Sequence, residues 1–161
     1  MDTQFEIRVG GPADVPCMAA MADAFRRQLG YDGPTEAEFA VRIPSLFDDA
    51  GTDLLVAFGP ARHCAGFVQM RYRRNIWTPS EEAYIEDLFV AQDSRRLGLG
   101  ARLLETAIDR ARTRDCSVVT LETSERNTRA LALYERYGFR SGGGPEVEMK
   151  GGRQLWLKLA L

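Results

Sequence analysis

The sequence predicts an α/β protein built on a mixed central sheet with helices on both faces. Three patterns carry that expectation. Alternating or β-branched apolar runs recur at residues 54–58, 64–72, 83–90 and 117–121, as strands require. An amphipathic helical stretch, residues 99–114, lies between the last two of these runs. A hairpin signal, Gly59-Pro60, joins the first two.

Residues 5–9 alternate and predict the first strand. Gly11-Pro12 and Asp14 then open a helix whose stripe is Val15, Met18, Ala19, Ala22, Phe25 and Leu29, closed by Gly30. Residues 30–34 carry turn residues and predict a loop. Thr35 with Glu38 forms a capping-box pattern for a second helix, with Phe39, Ile43 and Phe47 inward and Pro44 splitting it. In residues 83–90 apolar side chains fall on both faces, as in a central buried strand. Leu99, Leu103, Leu104, Ala107, Ile108 and Ala111 face inward in the next helix, and another helix over 128–137 ends at Gly138. Gly142-Gly143-Gly144-Pro145 is a loop, and Leu155, Leu157, Leu159 and Leu161 alternate along a last strand.

The chain has 161 residues, 45% hydrophobic and 27% charged, with no repeat or dividing linker, so a single domain over 1–161 is expected. A net charge of −2 gives no general reason to expect nucleic-acid binding. No stretch approaches the roughly 20 apolar residues that cross a bilayer, so no membrane association is expected. The first residues lack a basic segment followed by an apolar run, which argues against a secretory signal. Cys17, Cys64 and Cys116 are scattered and odd in number, arguing against both a disulfide framework and a zinc site. His63 is the one histidine, so no metal centre is expected. These features predict a reduced, soluble, cytoplasmic domain.

The glycine loop Arg95-Arg96-Leu97-Gly98-Leu99-Gly100 sits before a helix, where free amides and the helix dipole favour phosphate. A dinucleotide fingerprint fits poorly: the strand ends several residues too early and Leu103 takes the third glycine position. No Gly-Lys-Ser/Thr follows, which excludes a Walker loop. Two arginines ahead of a helix N-terminus are electrostatically disfavoured until an anion arrives.

This loop resembles the Arg/Gln-x-x-Gly-x-Gly/Ala acyl-CoA loop of the GNAT superfamily of N-acetyltransferases. The Ile85-Glu86-Asp87-Leu88-Phe89-Val90 strand and Asn127-x-x-Ala130-x-x-Leu133-Tyr134-x-x-x-Gly138-Phe139 resemble two further motifs of that family, in the same order and spacing. The resemblance implies a mostly antiparallel sheet, an acetyl-CoA-binding core over about 84–139, and acetyl-CoA as cosubstrate without a metal. It also implies roles. The backbone of Leu88, Phe89 and Val90 would pair with the pantetheine arm and point an amide at the thioester carbonyl. Amides of Arg96, Leu97, Gly98, Leu99, Gly100 and Ala101, beside Arg95, would wrap the pyrophosphate. Asn127 would contact the cosubstrate and Tyr134 would reach the sulfur. Arg96 departs from the pattern, since many members carry glycine there.

The chemistry needs a base, because a primary amine with a pKa of about 10 is mostly protonated at neutral pH. Glu86 is the candidate, directly or through water, with Asp87 or a water chain as alternatives. The two acids alternate to opposite strand faces and cannot share a proton. Tyr134 is the hydrogen-bond donor for the leaving thiolate, or else a packed core tyrosine. Tyr31, Trp77, Tyr84, Glu86 and Glu122 are candidate acceptor contacts. Glu82 could also attract a cationic amine, and Arg71, Arg73 or Arg74 a carboxylate. The expected acceptor is a small-molecule amine: an amino acid, a polyamine or an aminoglycoside-like compound. A non-catalytic acyl-CoA sensor and acetylation of a protein amine are the alternatives. Sheet edges and an apolar last strand leave a homodimer open.

Overall fold

A computed structural model describes residues 4–144 and 146–161. The strands are β1 (Glu6–Val9), β2 (Thr52–Phe58), β3 (Cys64–Arg73), β4 (Glu82–Val90), β5 (Val118–Ser124), β6 (Arg140–Ser141), β7 (Val147–Met149) and β8 (Gly152–Ala160). The helices are α1 (Val15–Leu29), α2 (Glu36–Arg42), α3 (Pro44–Phe47), α4 (Leu99–Thr113) and α5 (Thr128–Arg136). Strand order is β1-β2-β3-β4-β5-β8-β6, with β7 also on β8. β4 and β5 run parallel, whereas β1–β2, β5–β8, β6–β8 and β7–β8 are antiparallel. The expected mixed, mostly antiparallel sheet is therefore present. The short strands β6 and β7 carry no pattern long enough to read from sequence. Pro145, part of the expected glycine loop, lies outside the described residues.

The contacts gather into two compact units, one made of residues up to Met70 with Asp87–Ala107, the other of Arg71–Glu86 with Ile108–Leu161. In the first unit, α1 ends at Gly30 in a left-handed conformation (φ 77°), as the sequence predicts. Thr35 accepts from the Glu38 amide at 3.3 Å while Glu38 accepts from the Thr35 amide at 2.8 Å, closing the capping box. Pro44 does divide the second helical stretch, into α2 and α3. Cys17, Met18, Ile43, Leu54, Val56 and Phe58 form one buried cluster, with Phe39, Leu46 and Phe47 packed on it. A second cluster joins Phe67, Phe89 and Ala91 to Met21, Ala22 and Phe25.

The cysteine expectation needs correction. Cys17 on α1 and Cys64 at the start of β3 form a disulfide, with Cα atoms 5.5 Å apart. A separation of 47 residues leaves no local spacing signal, so only the packing of α1 against the sheet reveals the pair. Cys116 stays a buried thiol, and burial pushes its pKa up.

In the second unit, β5 pairs with β8 over its whole length, from Val118↔Ala160 to Ser124↔Gln154. Val119 and Leu121 are buried on β5, with Leu157 on β8. Glu82, buried at the start of β4, accepts from Thr120 Oγ1 (2.5 Å), Arg73 Nη2 (3.1 Å) and Asn75 Nδ2 (3.2 Å). Its neighbour Glu81 takes a forked pair from Arg114 at 2.6 and 3.3 Å, which holds its carboxyl below the usual range. No described helix is long and apolar enough to cross a membrane.

Candidate active site

In the first unit, the end of β4 leads directly into the glycine loop. The Ala91 amide donates to the Ala65 carbonyl at 2.8 Å, and a short turn over Gln92–Ser94 follows. Ser94 is buried and lies 3.2 Å from His63 Nε2. Arg95 does not reach outward: its Nε donates to the Val90 carbonyl at 3.0 Å, and Nη2 donates to Gln28. Its guanidinium also lies over the Phe89 ring, 5.7 Å from the centroid. Arg95 thus braces the strand end that the resemblance assigns to the pantetheine arm.

Arg96 and Gly98 both adopt left-handed backbone, at φ 63° and 78°. Gly98 supplies this conformation freely, whereas Arg96 holds it against its own Cβ. The common glycine of the family at Arg96 has its physical reason here. The first helical hydrogen bond runs from the Arg102 amide to the Gly98 carbonyl (3.2 Å), so the amides of Leu99, Gly100 and Ala101 precede it. Open amides at the start of a 15-residue helix present unused donors at the positive end of the helix dipole. The side chains of Arg96 and Leu97 are exposed beside it.

Gly66 on β3 explains how closely that strand approaches β4. A Cβ at this position would stand 2.6 Å from the Phe89 carbonyl oxygen and 3.2 Å from Leu103 Cδ1. Leu88 and Val90 are half-buried and Phe89 is buried. Phe89 packs with Phe25 (5.2 Å between ring centroids) and Phe67 (6.1 Å).

The same unit holds a cavity of about 280 Å³ between α1, α2 and the strands. Tyr31, Phe25, Phe67, Gln69 and Asp87 line it. Of the expected acceptor contacts, Tyr31 is there, at 55% exposure. Gln69 was not foreseen. Its signal was the two-residue period it shares with Phe67 on β3, matched by Asp87 and Phe89 on β4.

The remaining expected residues belong to the second unit. Glu86 is exposed on β4. Glu122 is exposed on β5. Trp77 is 88% exposed in a turn where the Asn75 side chain accepts from its amide at 2.8 Å. The Tyr84 ring lies under the Arg73 guanidinium, 4.8 Å away. Glu82 and Arg73 are engaged with each other rather than held open for an acceptor. Asn127 caps α5, its Oδ1 accepting from the Ala130 amide at 3.3 Å, which leaves its NH₂ group as the donor. Tyr134 is buried edge-on against Phe139 (5.7 Å), and burial pushes its phenol up to about 12. A group that holds its proton so firmly donates hydrogen bonds throughout the physiological range. Among the described residues, no His, Cys, Asp and Glu side chains group as a metal-ligand set.

Residues 18–139 match the sequence profile of the acetyltransferase (GNAT) family, a match that runs through both units. The chain belongs to this family. It is therefore an acyltransferase of the N-acetyltransferase kind. It is 32% identical to the L-methionine sulfoximine/L-methionine sulfone acetyltransferase of Pseudomonas aeruginosa, over 95% of this chain and 90% of that protein. It is also 32% identical to the streptothricin acetyltransferase of Streptomyces lavendulae, over 85% of this chain and 68% of that protein. A crystal structure of spermidine N-acetyltransferase from Vibrio cholerae, in complex with CoA and spermine, shares the fold. Its TM-score is 0.81 over 99% of this chain and 96% of that one, at 17% identity.

Proposed function

We propose that this GNAT enzyme moves an acetyl group from acetyl-CoA to the primary amine of a small molecule, by direct attack in a ternary complex. Residues 1–161 are read as one transferase domain. The observation that carries the reading is the loop of Arg96 and Gly98, whose left-handed turns leave the amides of Leu99, Gly100 and Ala101 open at a helix N-terminus. Pyrophosphate is the ligand such a cradle takes, and strand β4 runs straight into it.

The chemistry follows from the residues. The amine gives a proton to Glu86, directly or through water, and its nitrogen attacks the thioester carbonyl carbon. The resulting oxyanion takes a hydrogen bond from a backbone amide within Leu88, Phe89 and Val90. The nitrogen of the adduct then loses its second proton to water, and collapse breaks the C–S bond and releases CoA thiolate, stabilised by hydrogen-bond donation from the Tyr134 phenol. The Asn127 amide group contacts the cosubstrate. Arg95 acts as a positioning residue through the Val90 carbonyl. A cavity near the lower end of the usual ligand-pocket range, roughly 300–1,000 Å³, favours a small acceptor over a protein chain.

The test is CoA release from acetyl-CoA against diamines, amino acids and aminoglycosides, each beside a control without amine. Amine-dependent release is expected, together with acetyl-CoA binding by calorimetry. Absence of acetyl-CoA binding would overturn the reading.

A further inference from the structure

The turn between β2 and β3 carries strain that chain reversal alone does not require. Ala61 and Arg62 both hold left-handed backbone, at φ 53° and 57°, where glycine or asparagine is the usual choice. Gly59 lies under the His63 ring, and a Cβ there would stand 2.6 Å from Nδ1. Both ring nitrogens are engaged. The Pro60 carbonyl can only accept, so Nδ1 donates to it at 3.0 Å. Nε2 is thereby left facing the Ser94 hydroxyl at 3.2 Å. His63 itself is exposed, whereas Ser94 is 1% exposed. That hydroxyl also stands 3.0 Å from Oδ1 of its exposed neighbour Asp93. Strained backbone persists only where the surroundings over-determine it, and here the surroundings converge on the seat of one imidazole.

His63 stands where the foot of β3 meets the end of β4. Cys64, next in the chain, is bonded to Cys17 on α1, and the Ala65 carbonyl accepts from the Ala91 amide at 2.8 Å. The contact of His63 with Ser94 carries this pairing beyond Ala91, onto the turn that the Ser94 amide closes against the Ala91 carbonyl at 2.9 Å. Arg95 and Arg96 follow at once, and Arg96 begins the left-handed turns of the glycine loop. Resting on the transferase reading above, we infer that His63 is a positioning residue for acetyl-CoA, acting through Ser94 to fix the turn that leads from β4 into this loop. The contact of Ser94 with Asp93 joins neighbours within the turn, whereas its contact with His63 joins the turn to β3. Arg95 braces the same segment through Gln28 on α1 and the Val90 carbonyl, so the loop entrance is tied on two sides. A loop ordered beforehand binds its ligand without the entropy loss that a loose one suffers.

The experiment measures acetyl-CoA affinity by calorimetry for the parent protein, His63→Ala, Ser94→Ala, the double variant and His63→Gln. Each alanine variant should bind acetyl-CoA about threefold to tenfold more weakly, the range set by one neutral hydrogen bond. The double variant should be no more than about twofold weaker than the weaker single, because the two residues act through one contact. His63→Gln places an amide near the position of Nε2 and should recover most of the loss. In CoA-release assays with the best amine of the panel above, KM for acetyl-CoA should rise in His63→Ala while kcat holds within about twofold. Asp14→Asn removes an anchor of the same unit far along the chain from the loop and should leave acetyl-CoA affinity within about twofold, which separates positioning from a general loss of stability. Unchanged affinity in His63→Ala, penalties that add in the double variant, or a melting temperature that falls while affinity holds overturns the inference. Failure of the parent protein to bind acetyl-CoA would instead overturn the transferase reading.

Discussion

Replacing Tyr134 with phenylalanine removes one oxygen from a side chain that is 8% exposed and keeps the ring packed on Phe139. Burial pushes the Tyr134 phenol up to about 12. A thiol titrates near 8.5, so passing the phenolic proton to a thiolate runs uphill by roughly 5 kcal/mol. A donated hydrogen bond carries no such cost and contributes about 1.5–3 kcal/mol when its acceptor is charged. Tyr134→Phe should therefore lower kcat for CoA release by about 10- to 150-fold and leave KM for acetyl-CoA nearly unchanged. The ratio to the parent enzyme should stay flat from about pH 7 to about pH 10, because the phenol remains protonated throughout. Stability provides an independent readout. The folded phenol titrates at about 12, against about 10 when unfolded. Between those values the unfolded chain has lost the proton and the folded chain keeps it. Stability is thus lost as pH rises through this window, by up to about 3 kcal/mol, and the Phe variant lacks that slope. Alkaline melts of both proteins measure it. A kcat within about twofold of the parent at every pH would refute the role in chemistry. A ratio that changes between neutral and alkaline pH would refute the hydrogen-bond description in favour of proton transfer.

Three further outcomes follow from the geometry of the first unit. Gly66→Ala puts a Cβ 2.6 Å from the Phe89 carbonyl oxygen; calorimetry should show weaker acetyl-CoA binding, and unchanged affinity would detach β4 from the cosubstrate. Arg96→Gly relieves a left-handed arginine (φ 63°), and thermal unfolding should show a gain of up to about 1 kcal/mol; a lower melting temperature would refute the strain. Asp14 is held below its ordinary 3.8, first by the Arg8 hydrogen bonds at 2.7 and 2.8 Å and also by the Gly11 amide. That contribution is present above about pH 4 and fades as pH falls further. Asp14→Asn should cost roughly 1–3 kcal/mol at neutral pH and progressively less in acid, measured by urea unfolding.

The parts of the fold written in local pattern were legible. The capping box at Thr35 and Glu38, the break at Pro44, the Gly30 stop and the inward row of α4 each depend on residues within a turn or two of one another. The loop from Arg95 to Gly100 was legible as a helix entrance for the same reason, since left-handed turns and open amides at a helix start are properties of adjacent backbone. What stayed hidden depends on separation. Nothing near Cys17 points to Cys64, and β6 is two residues long, too short to carry a period. Arg95 read as a phosphate contact because charge is visible in sequence, whereas its hydrogen bond to Val90 is not.

The pair Glu86 and Asp87 marks where reading by motif ends and geometry takes over. Alternation fixes that the two acids face opposite ways but not which face holds the cavity. That depends on which side of β4 receives α1, and Phe89 settles it by joining Phe25 and Phe67. Once Phe89 is on the helix-covered face, Asp87 must be there too, and Glu86 must be on the other. The same aromatic cluster therefore builds the apolar wall of the cavity and decides which carboxylate borders it. A polar substitution at Phe25 would consequently disturb this wall before it disturbed the glycine loop, whose conformation is set by Arg96 and Gly98.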